Sequence, residues 1–226
     1  PHPRRYFRND FENFNIVDEN TKIQLFEELN VDNYIIFKFD KNLASLTADQ
    51  FISQILFDKL KINNLIVGYD FKFGKDRKGD LELLKHNSED YKYNIIIIDS
   101  VIDKQNQTKY SSSSIREYIM QGKFEKVSDA LDRNWHINGN IIVGDKRASQ
   151  MKFPTANVKP GDHILPLKGV YCVYAFINGK RYNGIANFGE RPTVDGTNLL
   201  LETHIFDFNK DIYGKELTVE FLTFIR

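Results

Sequence analysis

The sequence predicts an α/β domain with a parallel sheet, followed by an all-β domain that forms an antiparallel barrel. In the first part, short β-like runs alternate with segments of helical periodicity, which is typical of a parallel sheet covered by helices. After about Trp135 the apolar period changes to two, and consecutive strands are separated by short turns. The predicted domains are residues 1–126 and 127–226, with no Gly/Ser-rich linker between them.

The helices of the first domain are predicted from apolar periodicity and capping residues. Asp18 to Leu29 repeats apolar residues on one helical face, and Thr47 to Gln50 is a capping box before an apolar run. A short helix is expected from Asp80 to Leu84. Ser111 to Ser114 offer hydroxyl N-caps for a further helix, which Gly122 can end in the left-handed conformation.

The strands are predicted from β-branched and aromatic runs. In the first domain they are expected at residues 33–39, 65–68 and 94–98. In the second they are expected at residues 136–143, 169–177, 180–187, 199–208 and 216–224. Asn178-Gly179 lies between two of these runs and is the strongest hairpin signal in the chain.

Composition restricts the class of protein. Lys and Arg number 31, as do Asp and Glu, so the positive field that nucleic-acid or anionic-membrane binding normally requires is absent. No apolar run approaches the ~20 residues of a membrane-spanning helix, and the N-terminus has no signal-peptide core. One cysteine excludes an internal disulfide and a cysteine-based metal cluster. We expect a cytoplasmic protein without nucleic-acid or membrane partners, and the oligomeric state stays open.

Thr155 and Asn157 form the first candidate site. Pro154 favours an extended chain before them, and in an extended chain their side chains point the same way. A hydroxyl and an amide oxygen on one face are hard ligands suited to Mg²⁺ with phosphate oxygens. The upstream turn supplies further candidates for binding phosphates: Gly139, Gly144 and Lys146. An ordinary loop with a Thr-based turn is the alternative interpretation.

Glu202 is the second candidate. Strand alternation puts it on the face of Leu200, Phe206 and Phe208. A carboxylate on an apolar face is costly without a partner, and such a group suits a general base. The alternative is an ion pair on the strand, with Arg191 or Lys146.

Two further segments of the first domain are compatible with phosphate binding. One follows a predicted strand at its carboxyl end, where open α/β sheets bind ligands, and contributes Gly68, Asp70 and Phe71. The other is a helix N-terminus with hydroxyls and an arginine one turn on, and contributes Ser112, Ser113 and Arg116. A glycine-bounded turn and a serine cap are also common structural features.

The order of the motifs along the chain resembles that of the bacterial bifunctional riboflavin kinase/FMN adenylyltransferase family. The resemblance covers essentially the whole chain, and its most specific pieces lie in the second half. The motifs that carry it are Pro1-His2-Pro3-Arg4, residues 67–74, Ser111 to Arg116, Phe153 to Asn157, residues 187–193 and residues 202–208.

This resemblance implies a nucleotidyltransferase-like, Rossmann-like α/β domain that adenylates FMN to FAD, followed by a β-barrel kinase that phosphorylates riboflavin to FMN. It makes Thr155 and Asn157 the Mg²⁺ and ATP ligands, Glu202 the base and Arg191 a flavin contact. In the first domain it implies a nucleotide or flavin site. That site comprises His2, Gly68, Asp70, Phe71, Ser112, Ser113 and Arg116.

The chain also departs from the family pattern. It starts downstream of the phosphate-gripping loop, so we expect the adenylyltransferase half to be incomplete as given. Residues 147–152 contain no glycine where the family has several, and Glu190 is expected to neutralise Arg191. Two alternatives follow: a non-catalytic flavin- or nucleotide-binding module, and a nucleotidyltransferase for another substrate.

Overall fold

The chain folds into two compact units, each described here by itself. The computed structural model describes residues 6–7, 13–103, 108–142, 155–193 and 196–226, and the side chains of residues 192–198 are not described. Unit 1 comprises Pro1–Phe11 and Ile35–Lys109, and unit 2 comprises Glu12–Tyr34 and Tyr110–Arg226. Residues 12–34 and 110–126 thus group with the barrel, although the sequence places them in the first domain. The division at residues 126 and 127 stays a prediction.

Unit 1 is built on two parallel strands, β1 (Asn64–Gly68) and β2 (Asn94–Ile98), in direct register from Asn64 opposite Asn94. Its described helices are α2 (Lys41–Ser45), α3 (Ala48–Gln50) and α4 (Leu81–Tyr91). The chain continues from α3 directly into a π-helix (Phe51–Lys59), and a 3₁₀ turn (Lys75–Arg77) precedes α4. The predicted capping box at Thr47 is present, with both of its hydrogen bonds. The core of unit 1 contains Ile52, Leu56, Val67, Phe73 and Leu84.

The predicted strand at residues 33–39 is wrong. These residues have no regular secondary structure, and Ile35 and Ile36 are 55% and 62% exposed. Sequence pattern reports side-chain preference only, whereas a strand also needs a neighbour to accept its backbone hydrogen bonds. Among the described residues, no strand pairs with this segment.

The described part of unit 2 contains the helices α1 (Glu19–Glu28), α5 (Ser112–Met120) and α6 (Phe124–Leu131). Asp18 caps α1, and Ser111 caps α5 in a capping box with Ser114. Gly122 has a φ of 71°, as predicted for the end of α5. The segment before α1 is bound to the barrel, because the Trp135 indole donates to the Ile16 carbonyl.

The barrel is one six-stranded antiparallel sheet with the strand order β3-β8-β5-β6-β7-β4. The strands are β3 (His136–Asn140), β4 (Thr155–Val158), β5 (Gly169–Ile177), β6 (Lys180–Thr193), β7 (Gly196–Ile205) and β8 (Glu216–Phe224). Asn178 and Gly179 both have positive φ, as the predicted hairpin requires. The sheet curls so that its two ends meet at a bridge between Ile142 and Asn157.

Alternate residues of the barrel strands form its core. Trp135, Tyr171 and Phe221 are fully buried there, and Leu201 and Ala186 supply the part of the core below the candidate site. The predicted bounds of β5 and β8 agree with the structure, whereas β7 ends at Ile205, three residues earlier than expected. The predicted fold class, a parallel α/β domain followed by an antiparallel barrel, is confirmed.

Candidate active site

Three adjacent strands bring the predicted kinase residues together. Asn157 on β4 lies opposite Glu202 on β7, and Glu202 in turn lies opposite Asn187 on β6. Thr155 lies opposite His204, one step along the same pair of strands. Directly opposed residues point to the same face of a sheet, so these side chains share one face. The intervening residues, such as Ala156 and Thr203, face the core.

Glu202 is buried and paired. It is 9% exposed, and its Oε1 atom forms an ion pair with Arg191 Nη2 that lacks hydrogen-bond geometry. The ion pair with Arg191, one of the two predicted alternatives, is therefore present in the structure. The other proposed partner, Lys146, lies outside the described residues, as does Gly144. A buried carboxylate with a cationic partner can still accept a proton from a substrate that enters beside it.

The expected pairing of Glu190 with Arg191 is wrong. Glu190 instead binds Lys168, with 2.5 Å between Oε1 and Nζ. Neighbouring residues on a strand point to opposite faces, so Glu190 and Arg191 project to different sides of β6. Arg191 therefore remains directed at Glu202.

Thr155 and Asn157 fit the predicted magnesium site. They lie two residues apart on β4 and share the face of Glu202. Asn157 is 6% exposed, and its Oδ1 atom is buried without a hydrogen-bond partner among the described residues. An unpaired buried amide oxygen is costly, and a hard cation held with the Thr155 hydroxyl would satisfy it. Among the described residues no group of three His, Cys, Asp or Glu forms an alternative metal site.

A cavity of about 230 Å³ lies beside Thr155. Its walls come from the inner face of β4 and β7 and from the segment that follows β7, which contributes Phe208, Lys210, Asp211 and Tyr213. None of these four residues was predicted as a site residue. Lys210, Asp211 and Tyr213 lie between two predicted strands and Phe208 ends the first of them, so their pattern alone does not indicate a ligand site.

Gly139, predicted as a phosphate-covering glycine, lies within β3 opposite Leu217. A Cβ at this position would lie 2.9 Å from Val158 Cγ1. Glycine is thus needed here for close packing between β3 and β4. Any role of its backbone toward phosphate stays a prediction.

The predicted site residues of the first half are divided between the two units. In unit 1, Gly68 ends β1, and Asp70 follows it with Oδ2 3.1 Å from Lys109 Nζ. This hydrogen bond from Lys109 lowers the pKa of Asp70. Phe71 stacks on Phe73 with ring centroids 5.5 Å apart. His2 lies outside the described residues.

In unit 2, Ser112 and Ser113 begin α5, and Arg116 lies one turn further on. The Arg116 guanidinium donates to the carbonyls of Phe14 and Ser112 at 2.9 and 3.0 Å, and it lies 3.6 Å above the Phe14 ring. The arginine that was predicted to bind an anion thus holds the segment before α1.

Comparisons with known proteins match the two halves of the chain to two different family models. The riboflavin kinase family model matches residues 131–226, and the FAD synthetase family model matches residues 1–114. No helix among the described residues is long and apolar enough to cross a membrane.

Curated relatives match nearly the whole chain. A bifunctional riboflavin kinase/FMN adenylyltransferase from Haemophilus influenzae is 36% identical over 99% of this chain and 72% of its own length. The enzyme of the same name from Escherichia coli K12 is 32% identical over 97% of this chain and 70% of its own length.

A solved structure has the same fold. It is described as a macrolide-efflux protein from Streptococcus pneumoniae, and it superposes with a TM-score of 0.82 at 30% identity, covering 93% of this chain and 67% of that one. That description refers to the other protein, and the curated relatives bear a different one. From the two family matches and these relatives, the chain belongs to the bifunctional riboflavin kinase/FMN adenylyltransferase family.

Proposed function

We propose that unit 2 catalyses the ATP-dependent phosphorylation of riboflavin to FMN, as one step of flavin cofactor biosynthesis in the cytoplasm. The observation that carries the proposal is the shared face of β4 and β7. There, a buried carboxylate lies directly opposite a buried amide oxygen that has no partner within the described part of the chain. This is the arrangement of a base beside a cation ligand.

In this mechanism Glu202 accepts the proton of the riboflavin 5′-hydroxyl while the hydroxyl oxygen bonds to the γ-phosphorus. The bond from that phosphorus to the ADP oxygen breaks, and FMN and ADP are the products. Arg191 holds the carboxylate in position. Thr155 and Asn157 would hold Mg²⁺, which when bound neutralises charge on the phosphates.

The cavity beside Thr155 suits the base of ATP. Sites for drug-sized ligands have volumes of about 300–1,000 Å³. At about 230 Å³ the cavity is smaller, and it suits a two-ring base better than the three rings of a flavin. Its Phe208 and Tyr213 provide aromatic contact, and Lys210 provides a positive charge for the phosphate end.

The match of residues 1–114 to FAD synthetase supports a second activity, adenylation of FMN to FAD. For this reaction we propose two groups of residues. One group follows β1 and comprises Gly68, Asp70 and Phe71. The other lies at the start of α5 in unit 2 and comprises Ser112, Ser113 and Arg116. His2 is proposed for the same reaction from the sequence, and it lies outside the described residues. The carboxyl end of a parallel strand and a helix N-terminus are both common places for nucleotides.

The test is to incubate the purified chain with riboflavin, ATP and Mg²⁺ and to separate riboflavin, FMN and FAD by chromatography. FMN formed in wild type, and absent with EDTA or in Glu202→Gln, is the expected result. FAD in addition would show the second activity. Tight flavin or ATP binding without any product would instead support the non-catalytic binding module. Release of pyrophosphate from ATP without a flavin would support a nucleotidyltransferase for another substrate.

A further inference from the structure

Beside Arg191, the face of β6 that adjoins Glu202 carries two residues without an assigned role, Asn187 and Gly189. Asn187, Gly189 and Arg191 are spaced by two along β6, so all three project to the face of Glu202. Asn187 lies directly opposite Glu202, and Arg191 reaches back to its carboxylate. Glu202 therefore lies between two polar side chains of one strand.

Gly189 makes a recess between these two side chains. Within the described part of the chain, the atom nearest to a Cβ built at Gly189 would be the Asn187 amide nitrogen, at 3.9 Å. The residue opposite it on β7 is Leu200, which is 8% exposed and forms a second part of the floor. Among the described residues, none fills the space above Gly189, which has the Asn187 amide on one side and the Arg191 guanidinium on the other.

Asn187 is the polar residue of this recess that is available to a ligand. Its side chain is exposed, and it forms no hydrogen bond with the described part of the chain. Asn157, Glu202 and Asn187 form a row across β4, β7 and β6, and exposure to solvent increases along it. Asn157 is 6% exposed, Glu202 is 9% exposed and Asn187 is exposed. The solvent side of the row, from which an acceptor would reach Glu202, is therefore the Asn187 side.

We propose that the recess over Gly189 binds the polyhydroxylated chain of the acceptor and that Asn187 hydrogen-bonds one of its hydroxyls. An amide can donate to one hydroxyl oxygen and accept from another hydroxyl, which suits a polyol better than a charged group does. Bound there, the terminal hydroxyl of the chain lies beside Glu202. The inference rests on the proposed kinase function and adds the residue that recognises the acceptor.

The test compares Asn187→Ala with Asn183→Ala by steady-state kinetics with riboflavin and ATP varied separately. Asn183 is the matched control, because it is an exposed asparagine on the same face of the same strand, four residues away, beyond the part of β6 that pairs with β7. We expect Asn187→Ala to raise the riboflavin KM about five- to tenfold, the worth of one hydrogen bond. The ATP KM and the melting temperature should stay at the wild-type values, as should every constant of Asn183→Ala.

Gly189→Val is a second variant that leaves Asn187 in place. The backbone of Gly189 is not in the left-handed region and its Cβ position is open, so the variant is expected to fold. Side-chain atoms in the recess should raise the riboflavin KM at constant ATP KM. Wild-type riboflavin constants in both variants would overturn the inference while leaving the kinase proposal intact. A wild-type chain without kinase activity would instead refute the kinase proposal itself.

Discussion

The ion pair between Glu202 and Arg191 predicts an asymmetry between two substitutions. Glu202 is 9% exposed, whereas the Arg191 side chain is 35% exposed. Arg191→Ala leaves a buried carboxylate without its cation, which costs about 3–5 kcal/mol when both partners are fully buried. Because water reaches Arg191, we expect Arg191→Ala to lower the free energy of unfolding by about 2 kcal/mol. Glu202→Gln leaves an arginine that water can solvate. This variant should lower the free energy of unfolding by about 1 kcal/mol or less.

These changes can be measured by thermal unfolding, because Trp135 is the single tryptophan of the chain and is fully buried in unit 2. A loss of 2 kcal/mol corresponds to a fall in Tm of about 7 °C for a domain of this size. The double variant, Arg191→Ala with Glu202→Gln, should lose at least about 1 kcal/mol less stability than the sum of the losses in the two single variants. Equal effects of the two single variants, or strict additivity, would refute a coupled, buried pair.

Three further predictions concern unit 2. Thr155→Ala should raise the ATP KM and the Mg²⁺ concentration required for activity, while the riboflavin KM stays unchanged. Thr155→Ser keeps the hydroxyl and should restore both values. Wild-type dependence on ATP and Mg²⁺ in the alanine variant would exclude Thr155 as a ligand. Burial, with Arg133 and His163 nearby, lowers the pKa of His136 from 6.5 to about 4. The unfolded chain then takes up a proton between these pH values that the folded chain does not, so stability should fall by up to about 3 kcal/mol from pH 7 to pH 4. Urea titrations of wild type and His136→Asn at both pH values check this, since the variant should lose that part of the pH dependence. Tyr171→Phe should lower the free energy of unfolding by about 0.5–1.5 kcal/mol, because the Leu167 carbonyl loses the Tyr171 hydroxyl, and a Tm equal to that of wild type would contradict a contribution of this part-buried hydrogen bond.

The parts of the fold that the sequence predicts correctly are those specified by local chemistry. The capping box at Thr47, the serine N-cap of α5, the turn at Asn178-Gly179 and the left-handed Gly122 each depend on a few adjacent residues, and the structure contains all of them. These features satisfy backbone groups or positive φ angles within one turn of chain. Local sequence therefore suffices to place them.

The parts that could not be predicted depend on residues far apart in the chain. The segment 33–39 has strand composition, but strand formation depends on whether another strand pairs with it. Likewise, α1 was predicted as a helix, but its packing against the barrel depends on contacts such as that between Thr21 and His136, 115 residues apart. Arg116 was predicted as an anion ligand from its position on a helix, and its bond to Phe14 involves a separation of 102 residues.

The candidate site shows how strand alternation separates chemistry from stability. On β4, β6 and β7 the residues of one parity, such as Asn157 and Glu202, form the site face, while those of the other parity, such as Leu201 and Ala186, form the core. A single strand thus supplies both a base and a core residue at adjacent positions. A one-residue slip of β7 would exchange the two sets and bury Glu202 in the core, which is far more costly than any single substitution on the site face. The register that places the base is therefore fixed by the apolar core on the opposite face.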